Sequence, residues 1–64
     1  MKLMIDGKEA VKGQEVVTSG GEKTILTDWL VPCKSIIWGA VSTMNPACRR
    51  VGYYLPGEIN GSFI

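Results

Sequence analysis

Two arginines, Arg49 and Arg50, are the only adjacent cations in the sequence and end the stretch MNPACRR. Guanidinium groups bind carboxylates and phosphates through paired hydrogen bonds, so this segment could contact an acidic protein surface or a nucleic acid. Trp38, Tyr53 and Tyr54 are close in sequence, and small β-barrels bind single strands with such basic and aromatic residues. The other interpretation is a hairpin turn with a charged rim. We favour it because the local excess of positive charge is modest beside the dense basic surface of a nucleic-acid-binding protein.

Residues suited to catalysis or metal binding are scarce. The chain has no histidine, and its two cysteines, Cys33 and Cys48, do not form a CxxC pair. The carboxylates flank turn signals, where solvated charge is the simplest role. The stretch TSGGEKT lacks the first glycine of a phosphate-binding loop. We therefore predict no enzyme activity, no cofactor and no metal site.

The length and composition are those of one small domain. A chain of 64 residues buries only about 60% of the surface that its unfolded form exposes, so its stability is marginal. Hydrophobic residues make up 45% of the chain, which excludes disorder. No apolar run approaches ~18 residues, so we expect no membrane span. Asp6 and Glu9 interrupt the start of the chain, which argues against a signal peptide and for a cytoplasmic product.

Glycine and proline recur every few residues between short runs rich in β-branched and aromatic residues, a pattern typical of strands joined by turns. It predicts a single all-β domain over residues 1–64. The expected architecture is a small antiparallel β-sandwich or barrel of about 5–6 short strands joined by Gly/Pro turns. Residues 22–31 also carry apolar residues at helical spacing, so a helix remains the alternative to a strand there.

Three turns fix the predicted pairing of the strands. Asp6-Gly7 is a strong signal for a two-residue hairpin turn. A hairpin centred on Gly20-Gly21 would place Val16 opposite Ile25, and a third hairpin would turn at Asn45 to Cys48. That third hairpin would join the strand KSIIWGAVST to VGYYL.

In the register of the third hairpin, Ala40 would lie opposite Tyr53, and Tyr54 would cover Gly39. One side of this hairpin, predicted to fill the core, comprises Trp38, Ala40, Val51, Tyr53 and Leu55. Cys33 would be a small core residue at the start of the long strand. Cys48 would then lie about 35 Å away, whereas a disulfide needs Cα atoms within about 7 Å.

The hairpin is apolar on both sides, and a chain this short cannot cover both unaided. An uncovered apolar face marks an interface, so we predict a homo-oligomer or a part of a larger assembly. The apolar end SFI gains most by docking, and we expect both termini to pair or pack. The predicted interface residues are aromatic anchors and charged or terminal neighbours: Trp29, Trp38, Arg49, Arg50, Tyr54, Phe63 and Ile64.

Residues 22–64, with the run KTILTDWLVPCKSIIWGAVST and a later NG turn, resemble small virion proteins of tailed bacteriophages. These are the capsid decoration or cement proteins and related head and tail accessory proteins. The resemblance implies an all-β sandwich or barrel without catalysis, made in the host cytoplasm and bound in many copies to capsid protein in the virion. Two other functions remain open: a nucleic-acid-binding β-barrel, and a small inhibitor or regulator that adds an edge strand to a host protein.

Overall fold

The computed structural model describes every residue from Met1 to Ile64, and its regular secondary structure is β apart from one short 3₁₀ helix. Seven strands form two antiparallel sheets. The strands are β1 Leu3–Ile5, β2 Lys8–Glu9, β3 Glu15–Val17, β4 Lys23–Leu30, β5 Ala40–Asn45, β6 Arg50–Tyr54 and β7 Gly61–Phe63, with a 3₁₀ helix at Pro56–Ile59. The all-β prediction is confirmed, and the ambiguous segment is strand β4 rather than a helix.

The smaller sheet has three strands in the order β2-β1-β7. Asp6 and Gly7 join β1 to β2 with positive φ angles of 52° and 78°, which is the geometry that an Asp-Gly hairpin turn favours. The chain ends lie beside each other in this sheet. The Lys2 N–H donates to the Ile64 carbonyl at 2.6 Å, and the Ile64 N–H donates back at 2.8 Å. The prediction that both termini pair is confirmed.

The larger sheet has four strands in the order β3-β4-β5-β6 and shares one core with the smaller sheet. The buried apolar residues are Leu3, Ile5, Ala10, Val16, Leu26, Val41 and Ile59. Only 11 of the 64 residues are buried, and the accessible surface is 4442 Å². A folded monomer of this mass exposes about 4,000 Å² on average, so this chain leaves more of itself in water than most.

The β3–β4 hairpin differs from its predicted register by one residue. Val16 pairs with Thr24 and not with Ile25. The loop is longer than a two-residue turn because the Thr18 N–H donates to the Glu22 carbonyl at 2.9 Å and only the second glycine, Gly21, has a positive φ of 83°. A one-residue slip moves each side chain to the other face, so Val16 is buried with Thr24, whereas Ile25 lies on the outer side of the sheet.

The β5–β6 hairpin differs from its predicted register by two residues. Tyr53 pairs with Ser42, and Tyr54 pairs with Val41. The turn does begin at Asn45, whose side-chain oxygen accepts the Ala47 N–H at 2.9 Å, but the loop extends through Arg49. Because the shift is an even number of residues, the prediction of which side chains share a face survives it.

The strand predicted for KSIIWGAVST begins only at Ala40. Residues before it form turns, in which the Ile36 carbonyl accepts the N–H groups of Cys33 at 2.9 Å and Gly39 at 3.1 Å. Gly39 has a φ of 72°, which a strand cannot contain. Phe63, not Tyr54, covers this glycine.

The inward face of the β5–β6 hairpin is the opposite of the predicted one. Val41 and Thr43 are buried, and Tyr54 packs against the core, whereas Tyr53 is 76% exposed. The side predicted to fill the core is thus the outer one, and its members Trp38, Val51 and Leu55 are exposed as well. Cys33, also predicted in the core, is exposed.

An irregularity in β4 explains how Leu26 and Trp29 both face the core. The register with β5 shifts between Leu26 and Asp28, which is the signature of a β-bulge. The extra residue places Leu26 opposite Thr43 and Trp29 opposite Val41, so both side chains lie on the core side. Without it, the two residues would alternate to opposite faces.

Candidate interaction surface

The outer side of the four-stranded sheet carries an apolar surface on which three large residues, Leu30, Val51 and Tyr53, are exposed. We call it the outer apolar face and define it by six residues: Ile25, Leu30, Ala40, Met44, Val51 and Tyr53. The pairing places them together, since Ile25 lies opposite Met44, which in turn lies opposite Val51. Leu30 is 57% exposed and Val51 is 56% exposed. Large apolar patches of this kind mark interaction sites on soluble proteins.

A groove of about 230 Å³ crosses this face. Leu30 and Tyr53 form its sides, and the small residues Ala40 and Ser42 lie between them, with Asp28 at the polar end. A small residue beside two large exposed ones leaves a depression that a partner's side chain can enter. Such pockets hold the side chains that contribute most to binding between proteins.

The β4 bulge also organises the polar end of the groove. The Thr27 hydroxyl donates to the Ser42 carbonyl at 2.9 Å, which links β4 to β5 where their ladder is interrupted. Asp28 accepts the Trp29 N–H at 2.8 Å and forms a salt bridge of 3.3 Å with Lys12. The Lys12 ammonium also lies 5.8 Å from the centre of the Trp29 ring, within range of a cation–π interaction.

These contacts lower the pKa of the Asp28 carboxyl below its ordinary value of 3.8. The hydrogen bond from the Trp29 N–H is the largest cause, and the hydrogen bond and charge of Lys12 follow. Trp29 and Lys12 stabilise the ionised carboxylate in the folded chain more than in the unfolded chain, because folding holds them beside it. Asp28 is exposed, so water screens these interactions and their effect on stability is small.

We expect Asp28→Asn to make stability less dependent on acid. A carboxylate with a lowered folded pKa stabilises the fold above its unfolded pKa, and this contribution is lost as the pH falls through the lower folded value. Wild type should therefore melt above the variant at pH near 7, and the gap should narrow as the pH falls below 3.8 and through the lowered folded pKa of Asp28. Thermal unfolding followed by circular dichroism at both pH values measures this.

The matched control is Glu9→Gln, which removes a surface carboxylate that forms no salt bridge. Its melting temperature should differ from wild type by a similar amount at both pH values. A gap between wild type and Asp28→Asn that persists unchanged in acid would contradict the role assigned to this carboxylate.

The structure separates the predicted interface residues into two groups. Trp29, Tyr54 and Phe63 are partly buried and pack against the core. The remaining four are exposed: Trp38, Arg49, Arg50 and Ile64. Trp38 borders a second cleft of about 270 Å³ with Leu55 and the 3₁₀ helix. Their role in an interface remains a prediction.

The basic and aromatic residues do not share a single surface. Arg50 and Tyr54 lie on the core side of β6, and Tyr54 packs against the core. Tyr53, the exposed tyrosine, lies on the other side of the strand, away from Arg50. Stacking of bases on an aromatic platform along a positive groove requires both groups on one accessible face, and this arrangement lacks it.

The sequence-based prediction missed the centre of the outer apolar face. The sequence predicts Tyr53, Val51 and Ala40 in the core and predicts no interface role for Leu30 or Met44. Because both faces of β5 and β6 are apolar, alternation along the strands carries no signal for which one faces the solvent. Asp28 opposite Ser42 is the polar pair that marks the outer side, but it becomes visible only with the β4–β5 register.

Other chemical groups are dispersed. Cys33 and Cys48 are both free and exposed. The chain has no group of three or more His, Cys, Asp or Glu side chains that could hold a metal ion. No helix here has the length and apolar character needed to span a membrane.

Comparisons with protein-family models, with curated proteins and with solved structures find no match to this chain.

Proposed function

We propose that this chain is a structural interaction protein that acts by docking its outer apolar face on protein subunits and that carries out no catalysis. One observation supports this most strongly. Tyr53 is 76% exposed on an apolar face, although only seven apolar residues form the core. A chain with so little core gains more by burying such a face against a partner than by leaving it in water.

The narrower form of the proposal is an accessory protein of a phage virion, made in the host cytoplasm and bound to neighbouring capsid or head–tail subunits. Its support is the resemblance of residues 22–64 to small virion proteins, together with a small all-β fold that exposes an apolar face. A shell offers many equivalent binding sites, so even a modest face on each copy contributes to the stability of the assembly.

The groove on the outer apolar face makes a specific test possible. Leu30 forms one side of the groove and is 57% exposed, so its replacement does not disturb the core. A photoreactive benzoylphenylalanine at position 30, introduced in the cells that naturally make the protein, should form an adduct with one protein species. Mass spectrometry then identifies that partner, and binding is measured with the purified pair.

With the purified partner, we expect Leu30→Glu to weaken binding at least about tenfold, because a carboxylate would be buried without a counter-charge. The matched control is Val11→Glu, since Val11 is 63% exposed but lies outside the outer apolar face. Circular dichroism should show both variants folded. Equal binding by wild type and Leu30→Glu, or the absence of any adduct at position 30, would overturn the proposed function.

A further inference from the structure

Strand β6, Arg50–Tyr54, is an edge of the four-stranded sheet. It pairs with β5 on one side, and none of the backbone hydrogen bonds outside the strand ladders involves its residues. Natural edge strands are protected by prolines, lysines, bulges or extreme shortness. β6 has no proline, lysine or bulge, and its one charged residue, Arg50, lies at its first position, whereas the opposite edge strand, β3, has only three residues. The backbone groups of β6 are therefore free to pair.

The hydrogen bonds of β4 show whether the N–H and C=O groups of each of its residues point to β3 or to β5. The Leu26 N–H donates to the Gln14 carbonyl at 2.9 Å, and the Gly13 N–H donates to the Leu26 carbonyl at 2.7 Å. Leu26 thus points its backbone groups at the β3 side. Backbone groups alternate in direction along a strand, so those of Ile25 point to β5.

The same alternation extends to β6. Met44 is the β5 residue opposite Ile25, so its backbone groups point back to β4. Those of the adjacent Thr43 then point to β6, where Gly52 is opposite. Within β6, Gly52 therefore faces β5, and the N–H and C=O groups of Val51 and Tyr53 face outward.

We propose that β6 pairs antiparallel with β6 of a second copy of this chain, around a two-fold axis at Gly52. This deepens the proposed function by naming one partner and rests on it in taking the chain to be an interaction protein. In this register Val51 lies opposite Tyr53 of the second copy, and both have outward groups. The two-fold axis repeats the pair, so four hydrogen bonds form and all four outward groups of Val51 and Tyr53 in each chain are satisfied.

The neighbouring registers fail for reasons visible in the backbone. A slip of one residue pairs outward groups with inward ones. An axis at Tyr53 requires the Leu55 N–H, which already donates to the Glu58 carboxylate at 3.0 Å. An axis at Val51 requires Arg49 to extend the strand, and Arg49 has a φ of 55°, in the left-handed region.

Side chains and charges also favour a second copy. On the outer side, Val51 packs beside Tyr53 of the other chain, a β-branched and aromatic pair that stabilises sheets. On the inner side, Arg50 meets Tyr54 of the other chain. The only cations after Lys34 are Arg49 and Arg50, and the only acid after Asp28 is Glu58. Because these charges flank opposite ends of β6, antiparallel pairing brings opposite signs together.

Dimerisation of this kind would also extend the outer apolar face. Two four-stranded sheets joined at β6 form one continuous sheet, with Val51 and Tyr53 of both copies at its centre. An apolar surface of twice the size is then available for a further partner.

The experiment uses the full chain, which at 64 residues is accessible to chemical synthesis. N-methylation of Tyr53 removes one outward N–H and leaves every side chain intact. Because the two-fold axis repeats the change, two of the four hydrogen bonds are lost, and we expect the dimer Kd to rise about 10- to 100-fold. Sedimentation velocity over a concentration series measures this Kd.

The matched control is N-methylation of Val17 in β3. Thr24 faces β3 as Leu26 does, and Val16 is paired with it, so Val17 points its N–H outward at the opposite edge. This variant should dimerise like wild type, and circular dichroism should show both methylated chains folded. A second variant, Glu58→Gln, keeps an acceptor for the Leu55 N–H but removes the charge, and it should raise the Kd and reduce its dependence on salt.

Three outcomes would overturn the dimer: wild type that stays monomeric at all concentrations, a dimer indifferent to methylation at Tyr53, or one disrupted by methylation at Val17. If β6 pairs with a strand of another protein instead, the purified chain stays monomeric, which is the first of these outcomes. Failure of the proposed function is distinct, because it is read at Leu30 in β4. A monomer with an adduct at position 30 removes only the dimer, and a dimer without that adduct removes only docking by the outer apolar face.

Discussion

Replacing Gly39 with alanine is expected to lower the free energy of unfolding by about 3 kcal/mol. Gly39 has a φ of 72°, and an L-residue in the left-handed region costs about 1–2 kcal/mol. The new Cβ would also lie 2.9 Å from Cδ2 of Phe63, with Cε2 closer still, and 3.0 Å from the Leu30 carbonyl oxygen. Displacement of the Phe63 ring would detach the end of β7 from the loop that precedes β5.

This change is large relative to the total free energy of unfolding of the domain. A domain of 64 residues is stable by about 3–10 kcal/mol, so Gly39→Ala removes a large part of it. Urea denaturation followed by circular dichroism should show a lower midpoint with an unchanged slope. Thermal unfolding should show a fall in Tm of about 15 °C.

Gly57→Ala is the matched control. No atom lies within 4 Å of a Cβ at Gly57, and its φ is not in the left-handed region. This substitution should leave stability unchanged or raise it by up to about 1 kcal/mol, through the entropy of the unfolded chain. In a Phe63→Ala background, Gly39→Ala should cost less than in wild type, because the clash with the ring is gone, while the backbone strain and the close approach to the Leu30 carbonyl oxygen remain. An additive double variant would contradict the contact between this ring and the glycine.

Local turn chemistry is the part of the fold that the sequence predicts well. Asp6-Gly7 forms its two-residue turn, and Asn45 begins the next because its side chain accepts a backbone N–H two residues on. The 3₁₀ helix begins directly after Leu55 at the Pro56-Gly57 pair, a local turn signal in the sequence. These features depend on two to four neighbouring residues, and no distant contact is needed to specify them.

Loop length and the bulge are the parts that local chemistry does not specify. Gly20-Gly21 supports either a two-residue turn or a longer loop, and the choice moves β3 by one residue against β4. The register shift between Leu26 and Asp28 is not marked by a Gly or Pro that would predict it. Each of these details decides which side chains face the core, so a prediction correct in fold class still assigned the wrong side of β5–β6 to the interior.

The interface residues are hard to predict from the sequence for the same reason. The predicted anchors are aromatic by type, yet Trp29, Tyr54 and Phe63 pack against the core. Selection by type cannot separate an aromatic residue that stabilises the fold from one that is available to a partner. The neighbours Tyr53 and Tyr54 show this directly, since one is 76% exposed and the other packs against the core, on opposite sides of one strand.

Ile25 and Leu26 are adjacent in β4 and provide the sharpest test of the two faces. Leu26 is completely buried and lies opposite Thr43, whereas Ile25 is half-buried on the outer apolar face. We expect Leu26→Ala to lower the free energy of unfolding by about 3–5 kcal/mol, because it removes core contacts and leaves a cavity. Ile25→Ala should cost only about 1 kcal/mol, since its side chain is partly hydrated already.

Urea denaturation of the two variants measures both values under one set of conditions. The register predicted from the sequence pairs Ile25 with Val16, which is buried, and would therefore make Ile25 the costlier loss. Equal losses, or a larger loss at Ile25, would contradict the observed register. Binding to the partner identified at position 30 should reverse the order among folded chains, because Ile25→Ala removes part of the outer apolar face. A residue that contributes little to folding and much to binding is what distinguishes an interaction face from a core face in a sheet that is apolar on both sides.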